Sequence, residues 1–460
     1  MTNFVILPER RTVVLRRKAY QLLLDWKKNQ SRKRKALFVT GARQIGKSYL
    51  VQHLGKTEYA SLVEINLLRD KVAKETLAAA RSTQDFINRL AVLSEVPFIE
   101  GNTLVFIDEI QELPDVATYA KFLVEDGRYD YAFSGSMLGT EFKSARSFPV
   151  GYVTEVEMRP MDFEEFCWAV GVREAVLGQV RQSFAQRKPL EAYLHEHLLS
   201  QWRTYLVVGG MPEVVQQFVD GSGSLAGIRS LQVDLNQQYS YDIAKYAGAR
   251  ALHVQAIFEE LPVQLEDKRA KFVVTSLGET ARYDNYEQDF LWLVRAGVGL
   301  KVNKVTEPKP PLRRTQRAAL FKLYQSDTGM LLARFPQSLA RAVYTDDRSM
   351  NMGGIFENAV AQELTAARFT PYFYLTKKMG EVDFLVESDE GVVAIEVKSG
   401  NDYLTHASLS KVLAAPGYEV SRAIVLCRSN FEMRDGILYA PWYATLCLES
   451  LNASDDFFLK

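Results

Sequence analysis

The stretch "ALFVTGARQIGKSYLVQHL" at residues 36–54 constrains the fold more than any other part of the 460-residue chain. An apolar, strand-like run leads into Gly41, Ala42, Arg43, Gln44, Ile45, Gly46, Lys47 and Ser48, and a helical pattern leaves it. The loop fits G-x-x-x-x-G-K-[ST], and a strand before it with a helix after it is the context in which that pattern binds phosphate. Gly41 and Gly46 supply the backbone freedom that turns N–H groups onto phosphate oxygens. Lys47 then reaches the β- and γ-phosphates, and the Ser48 hydroxyl holds Mg²⁺. Residues 41–48 thus predict ATP as a ligand and Mg²⁺ as its companion.

"TLVFIDEIQELP" at 103–114 supports hydrolysis as well as binding. An apolar strand delivers Asp108 to its end, where the carboxylate can bind Mg²⁺ through water, and Glu109 beside it is placed to polarise an attacking water. "YDYAFSGS" at 129–136 brings Ser134 and Ser136 to the same sheet edge, and Ser136 is placed among the ATP contacts. A trans-acting arginine would complete such a site; Arg146 and Arg159 are the candidates, and spacing does not choose between them. With "SLVEINL" at 61–67, these short buried strands alternate with helices, which implies a parallel sheet covered on both faces. The α/β region ends near Pro160.

Residues 161–260 read as mostly helical, with the loop "GGMPEVV" at 209–215 interrupting them. Residues 271–305 suggest a winged-helix-like unit, a helix followed by a glycine and a β-like run. "EPKPPLRRTQR" at 307–317 reads as a linker or exposed loop. A last α/β unit includes the helix "FENAVAQEL" and the late strand "RAIVLC". The expected units are 1–160, 161–320 and 321–460.

In that last unit, "GEVDFLVESDEGVVAIEVKSG" at 380–400 reads as a hairpin about Ser388-Asp389-Glu390-Gly391. Folding it symmetrically sets Asp383 against Glu396, a destabilising pairing of like charges. Alternation sends Val393, Ile395 and Val397 to one face and Glu396 and Lys398 to the other. Mg²⁺ held by Asp383 and Glu396, with Glu357 from the preceding helix, would resolve the repulsion. Such a metal activates water and polarises a phosphodiester, and Lys398 would stabilise the charge that develops. The competing reading is an amphipathic hairpin with a solvated E-x-K ion pair.

Composition excludes little. Lys plus Arg equals Asp plus Glu at 56 each, so any nucleic-acid surface must be a local patch. The basic N-terminus, "RRTVVLRRK" and "KKNQSRKRK", reads as a solvated helix face, with a phosphate-contacting patch as the alternative. Cys167, Cys427 and Cys447 lack metal-ligand spacing and fit a reducing cytoplasm. No long apolar run suggests a membrane span. His195 and His197, two apart, read as surface residues.

The order of "FVTGARQIGKSYL", "LVFIDEIQELP", "FSGSML", "RPMDFEEF", "YLVVGGMPEVV", "KLYQSDTGML", "IFENAVAQEL" and "GEVDFLVE…VVAIEVKSG" resembles a large prokaryotic family, the AAA-type ATP-binding proteins with an AAA_14 domain followed by a DUF4143 domain. The resemblance implies a P-loop ATPase, a helical middle with a winged-helix-like part and a C-terminal restriction-endonuclease-like α/β domain of the PD-(D/E)xK type. It carries Lys47, Ser48, Asp108 and Glu109 over to ATP, and Glu357, Asp383, Glu396 and Lys398 to a nuclease-type site. Many relatives have Gly-Arg where this chain has Gly151-Tyr152; if that arginine acts in trans in those relatives, its role here is open or has moved. The expected function is an ATPase whose nucleotide state controls a Mg²⁺-dependent nuclease domain acting on DNA. Alternatives are a DNA-binding switch that does not cut and a switch for a protein partner. A homo-oligomer stays open.

Overall fold

The computed structural model describes residues 15–30, 33–136, 151–266, 271–347 and 349–452. Its first sheet follows from burial. β1 (Ala36–Thr40) is buried at every position, as a central strand packed on both faces must be. It lies between β4 (Asp130–Ser134) and β5 (Val153–Glu157), and the sheet continues through β3 (Thr103–Asp108) to β2 (Ser61–Asn66). All its pairings are parallel. Its helices are α1 (Lys18–Asn29), α2 (Lys47–Glu58), α3 (Lys71–Ala78), α4 (Thr83–Leu93) and α5 (Val116–Asp126). Leu37 and Val39 face one core while Ala36 and Phe38 face another, so helices cover both sides.

The middle of the chain is helical: α6 (Phe163–Ala169), α7 (Glu174–Gln186), α8 (Ala192–Val208), α9 (Pro212–Gln217), α10 (Leu225–Tyr246), α11 (Ala251–Glu266) and α12 (Tyr283–Arg295). Sequence signals set several of the starts. Asp162 and Glu165 form a reciprocal capping box on α6. The segment expected as a loop at 209–215 is a loop only to Met211, because Pro212 opens α9 at a position that needs no N–H donor.

The second sheet is mixed and has the order β12-β13-β11-β10-β9-β8-β6-β7. Its strands are β6 (Gly299–Val305), β7 (Gln316–Gln325), β8 (Tyr372–Thr376), β9 (Gly380–Ser388), β10 (Gly391–Val397), β11 (Val420–Cys427), β12 (Glu432–Arg434) and β13 (Ile437–Pro441). The associated helices are α13 (Thr328–Leu332), α14 (Gln337–Thr345), α15 (Gly353–Ala366) and α16 (Ala407–Leu413). The β-like run after α12 is therefore built into this sheet: β6 pairs antiparallel with β7 and parallel with β8. The basic proline-rich stretch ends inside β7. Strands from both sides of residue 320 share one sheet.

One core runs through the molecule. It joins Leu37 and Val39 of β1, Trp202 and Tyr205 of α8, Val360 of α15, and Phe384 and Ile395 of the hairpin. Cys167, Cys427 and Cys447 are buried and unpaired. Among the described residues no helix is long and apolar enough to cross a membrane.

Candidate functional site

The phosphate loop has the conformation its glycines permit. Gly41 has φ 128° and Gly46 φ 88°. A Cβ on Gly41 would stand 2.1 Å from the Met158 carbonyl oxygen, so only glycine fits there. Lys47 is buried and folds back over the loop, donating to Gly41 O at 3.1 Å and Ala42 O at 2.7 Å. Burial lowers its pKa to about 8 despite the nearby Glu109 and Asp108 carboxylates. A phosphate would restore the charge that burial disfavours.

Asp108 is the hub at the strand ends. Its Oδ2 accepts from Ser48 Oγ at 2.8 Å and Asn66 Nδ2 at 2.9 Å. Its Oδ1 accepts from the Glu109 N–H at 3.0 Å and from the Ser134 hydroxyl. Asn66, at the end of β2, was not among the residues expected here. Glu109 takes a left-handed conformation, φ 57°, which swings its carboxylate to the Gln111 amide. Ser136 Oγ and Gln111 Oε1 are buried without partners. Unpaired polar atoms at that depth are costly, and they suit a ligand site. The residues could hold a nucleotide and its cation.

Two clamps hold the loop from outside. Arg17 donates to Ile45 O at 2.9 Å and Arg159 O at 2.6 Å while pairing with Glu165 at 3.2 Å. Arg43 turns away from the loop to Asp242 at 2.6 Å and Tyr246 Oη at 2.9 Å, and Gln44 turns to Gln238. Arg43 and Gln44 thus offer phosphate their backbone only. The N-terminal basic face is in part corrected: Arg17 is buried in an ion pair, and Lys18 binds Asp162 at 2.7 Å and Glu164 at 2.8 Å. Arg159 pairs with Glu157 at 2.9 Å. Arg146 lies outside the described residues. Tyr152, at the position of departure, donates to Glu125 at 2.9 Å.

The hairpin register runs Gly391↔Ser388 through Ile395↔Phe384, which sets Glu396 beside Asp383 at the next step. Asp383 Oδ2 accepts from the Val397 N–H at 2.8 Å. Between Tyr372↔Leu385 and Tyr374↔Val382, two steps on β8 match three on β9, so a bulge falls at Asp383-Phe384. Bulges of this kind re-aim side chains beside functional sites. Glu357 arrives from α15, as expected. Lys398 pairs with Glu396 Oε1 at 2.8 Å, leaving buried Glu396 Oε2 with no partner.

Three further residues complete the cluster. Lys322 of β7 reaches Glu357 at 3.0 Å and Glu381 at 2.5 Å. Tyr324 donates to Glu357 at 2.9 Å. Glu381 and Asp383, two apart on β9, carried a signal in the sequence. So did a lysine inside the apolar run "LFKLY", because a buried cation needs partners. A cavity of about 280 Å³ opens among Lys322, Tyr324, Glu357 and Glu381. Burial and then the Glu396 and Glu357 carboxylates hold the Asp383 carboxyl well above its ordinary range. Burial alone would lower the Lys322 ammonium, but Glu357, Glu381 and Asp383 outweigh it and hold it well above the usual lysine value. Among the described residues no three acidic, His or Cys side chains already converge as a metal cage. The donors still suit a hard divalent cation in kind, and the two lysines stand in as countercharges.

His195 corrects another expectation. It is buried, with Nδ1 2.8 Å from Tyr443 Oη, whereas His197 is exposed.

Residues 33–167 match the family model AAA_14, an AAA domain, and residues 352–444 match DUF4143, a domain of unknown function. The chain carries an AAA domain and a DUF4143 domain. The first is a P-loop ATPase domain. Residues 199–339, between them, match another domain of unknown function, DUF8612. Solved structures with similarity include a Walker-type ATPase of Pyrococcus abyssi at 12% identity, TM-score 0.42, covering 71% of this chain and 97% of that one. The Aeropyrum pernix ORC1 protein in complex with DNA matches at 13% identity, TM-score 0.27, covering 74% and 95%. The S. cerevisiae Hsp104–ADP complex matches at 15% identity, TM-score 0.29, covering 77% and 42%. No curated protein matches the chain.

Proposed function

We propose that this is an ATP-hydrolysing protein whose nucleotide state controls a Mg²⁺-dependent, nuclease-like C-terminal site acting on DNA. The observation that carries the reading is the cluster of charged side chains on β7, β9, β10 and α15 and just past the end of β10. It combines Glu357, Glu381, Asp383 and Glu396 with Lys322 and Lys398, and leaves Glu396 Oε2 buried and unpartnered. Asp383, Glu396 and Glu357 are the residues that would hold Mg²⁺, which supplies Lewis-acid polarisation of a phosphodiester when bound. Lys398 would leave Glu396 for the developing negative charge, and Lys322 would keep Glu357 and Glu381 from repelling each other. At the other site Lys47 would exchange the Gly41 and Ala42 carbonyls for the β- and γ-phosphates. Ser48 and Asp108 would hold the nucleotide's cation, Glu109 would orient water, and Ser136 would meet the γ-phosphate.

A hydrogen-bonded path supports control by nucleotide. The loop carbonyl of Ile45 binds Arg17, Arg17 binds Glu165 of α6, and the α6 N-terminus donates from Phe163 N–H to Glu363 of α15 at 3.0 Å. Glu357 lies on that same helix. Plasmid cleavage with Mg²⁺, with and without ATP, tests the whole reading. Asp383→Ala should abolish nicking and leave ATP turnover, and Lys47→Ala should cut turnover by roughly 100-fold or more. Cleavage that survives Asp383→Ala removes the catalytic assignment. A second reading, a DNA-binding switch that grips without cutting, is favoured by the lysines already seated on the carboxylates; it predicts ATP-dependent binding without nicking.

A further inference from the structure

We propose that the β6–β7 hairpin is a seat for the phosphate backbone of DNA, formed by Lys304 and Arg317 with Lys271 beside them, and that it leads the strand to the carboxylate pocket. This rests on the reading of that pocket as nuclease-like.

The pairing is the first reason. Lys304 lies directly opposite Arg317 across the hairpin. Like charges in that position are destabilising, so an unpaired cationic couple calls for an anion from outside. Among the described residues Lys271, Lys304 and Arg317 form no ion pair. Other basic residues of the same region do: Lys309 with Glu419 at 2.6 Å, Arg314 with Glu307 at 3.7 Å, and Lys322 with two carboxylates. Burial, then Lys271 and Arg317, lower the Lys304 pKa, which shows that the three charges feel one another.

The backbone is the second reason. The ladder passes from Asn303↔Phe321 to Lys304↔Arg317, which leaves Ala318, Ala319 and Leu320 without partners on β6. This irregularity is what brings Arg317 opposite Lys304. β7 is the edge strand of the sheet, and Arg317, Ala318 and Ala319 are exposed on it. Small side chains next to the cations let a polyanion approach the strand closely.

Position is the third reason. Lys271 also lines the cavity that holds Lys322, Glu357 and Glu381. One end of the cationic group therefore opens on the carboxylates. A neutral molecule with a local basic strip of this kind binds a phosphate backbone through counterion release, without reading bases.

The test uses the full chain and labelled duplex and single-stranded oligonucleotides over a salt series. Replacing both residues, Lys304→Gln with Arg317→Gln, should weaken binding and make the slope of log K against log salt shallower by about 1.8 for duplex, from about 0.9 per phosphate contact. The charge-preserving pair Lys304→Arg with Arg317→Lys should keep the slope. ATP turnover should be unchanged in both, which shows that the fold is intact. An unchanged slope in the glutamine variant, with wild-type binding intact, overturns the seat and leaves the nuclease-like reading standing. If the wild-type chain binds neither form of DNA, both fall together.

Discussion

Glu363 has an electrostatic position that its neighbouring cation, Lys18, relieves only in part. It lies buried on α15, and its Oε1 accepts from the Phe163 N–H at 3.0 Å and the Tyr205 hydroxyl at 2.8 Å. Burial and then Asp162 push its pKa from 4.5 to about 8. The folded chain therefore holds a proton there that the unfolded chain releases above about pH 4.5. Between those values the native state binds more protons, so stability falls as pH rises, by about 1.4 kcal/mol per pH unit within the window. Glu363→Gln is neutral throughout, and its amide oxygen can keep both bonds. Thermal melts at pH 6 and pH 9 should show wild type losing stability relative to Glu363→Gln as pH rises. Melting curves that shift in parallel would remove Glu363 as the titrating group. None of this was visible in "IFENAVAQEL", where Glu363 reads as one more polar position on an amphipathic helix. Glu357, by contrast, was found because the adjacent hairpin supplied a reason for a third carboxylate.

At the scale of elements, the local parts of the sites were legible and the long-range parts were not. The phosphate loop, the end of β3 and the β9–β10 register each depend on a few consecutive residues, so glycine placement, an apolar run ending in a carboxylate and turn arithmetic reached Lys47, Asp108 and the Asp383–Glu396 step in turn. Lys322 stood out as a cation in an apolar run, but its partners were out of reach because β7 meets the hairpin's neighbourhood only through β6 and β8, a strand order that no local pattern encodes. Arg17 shows the same limit. It sits in a basic run that suggests a solvated face, yet its partner Glu165 is 148 positions away. Together they fasten the start of α1 to the capping box of α6 and to the loop carbonyl of Ile45. Arg17→Ala would leave a buried carboxylate without its cation, a loss of about 3–5 kcal/mol. Urea titrations of Arg17→Ala, Glu165→Ala and the double variant should give a clearly non-additive cycle, with the double variant losing less than the sum. Strict additivity would show that the pair is not a unit.

At the scale of the whole molecule, the question is whether the two sheets unfold as one body. The core that starts at Leu37 and Val39 passes through Trp202 and Tyr205 to Phe384 and Ile395 without a break. Tyr205 also donates to Glu363, and Gln362 beside it donates to Tyr205 at 2.8 Å. Separating the ATPase sheet from the C-terminal sheet would expose both the apolar surface and these bonds, which favours a single cooperative transition. A non-hydrolysable ATP analogue at 100 times its Kd adds about 2.7 kcal/mol to the state it binds. In calorimetry that increment should move one peak containing both sheets. If two peaks appear and only the first moves, the helical middle is a tether and nucleotide has no mechanical hold on Asp383 and Glu396. Coupling, where it exists, is reciprocal. An oligonucleotide bound at the carboxylate pocket should then change the affinity for the ATP analogue by the same factor as the analogue changes affinity for the oligonucleotide. Isothermal titrations in both orders measure that shared factor twice, and a factor of one in both orders would mean that nucleotide and oligonucleotide are not coupled.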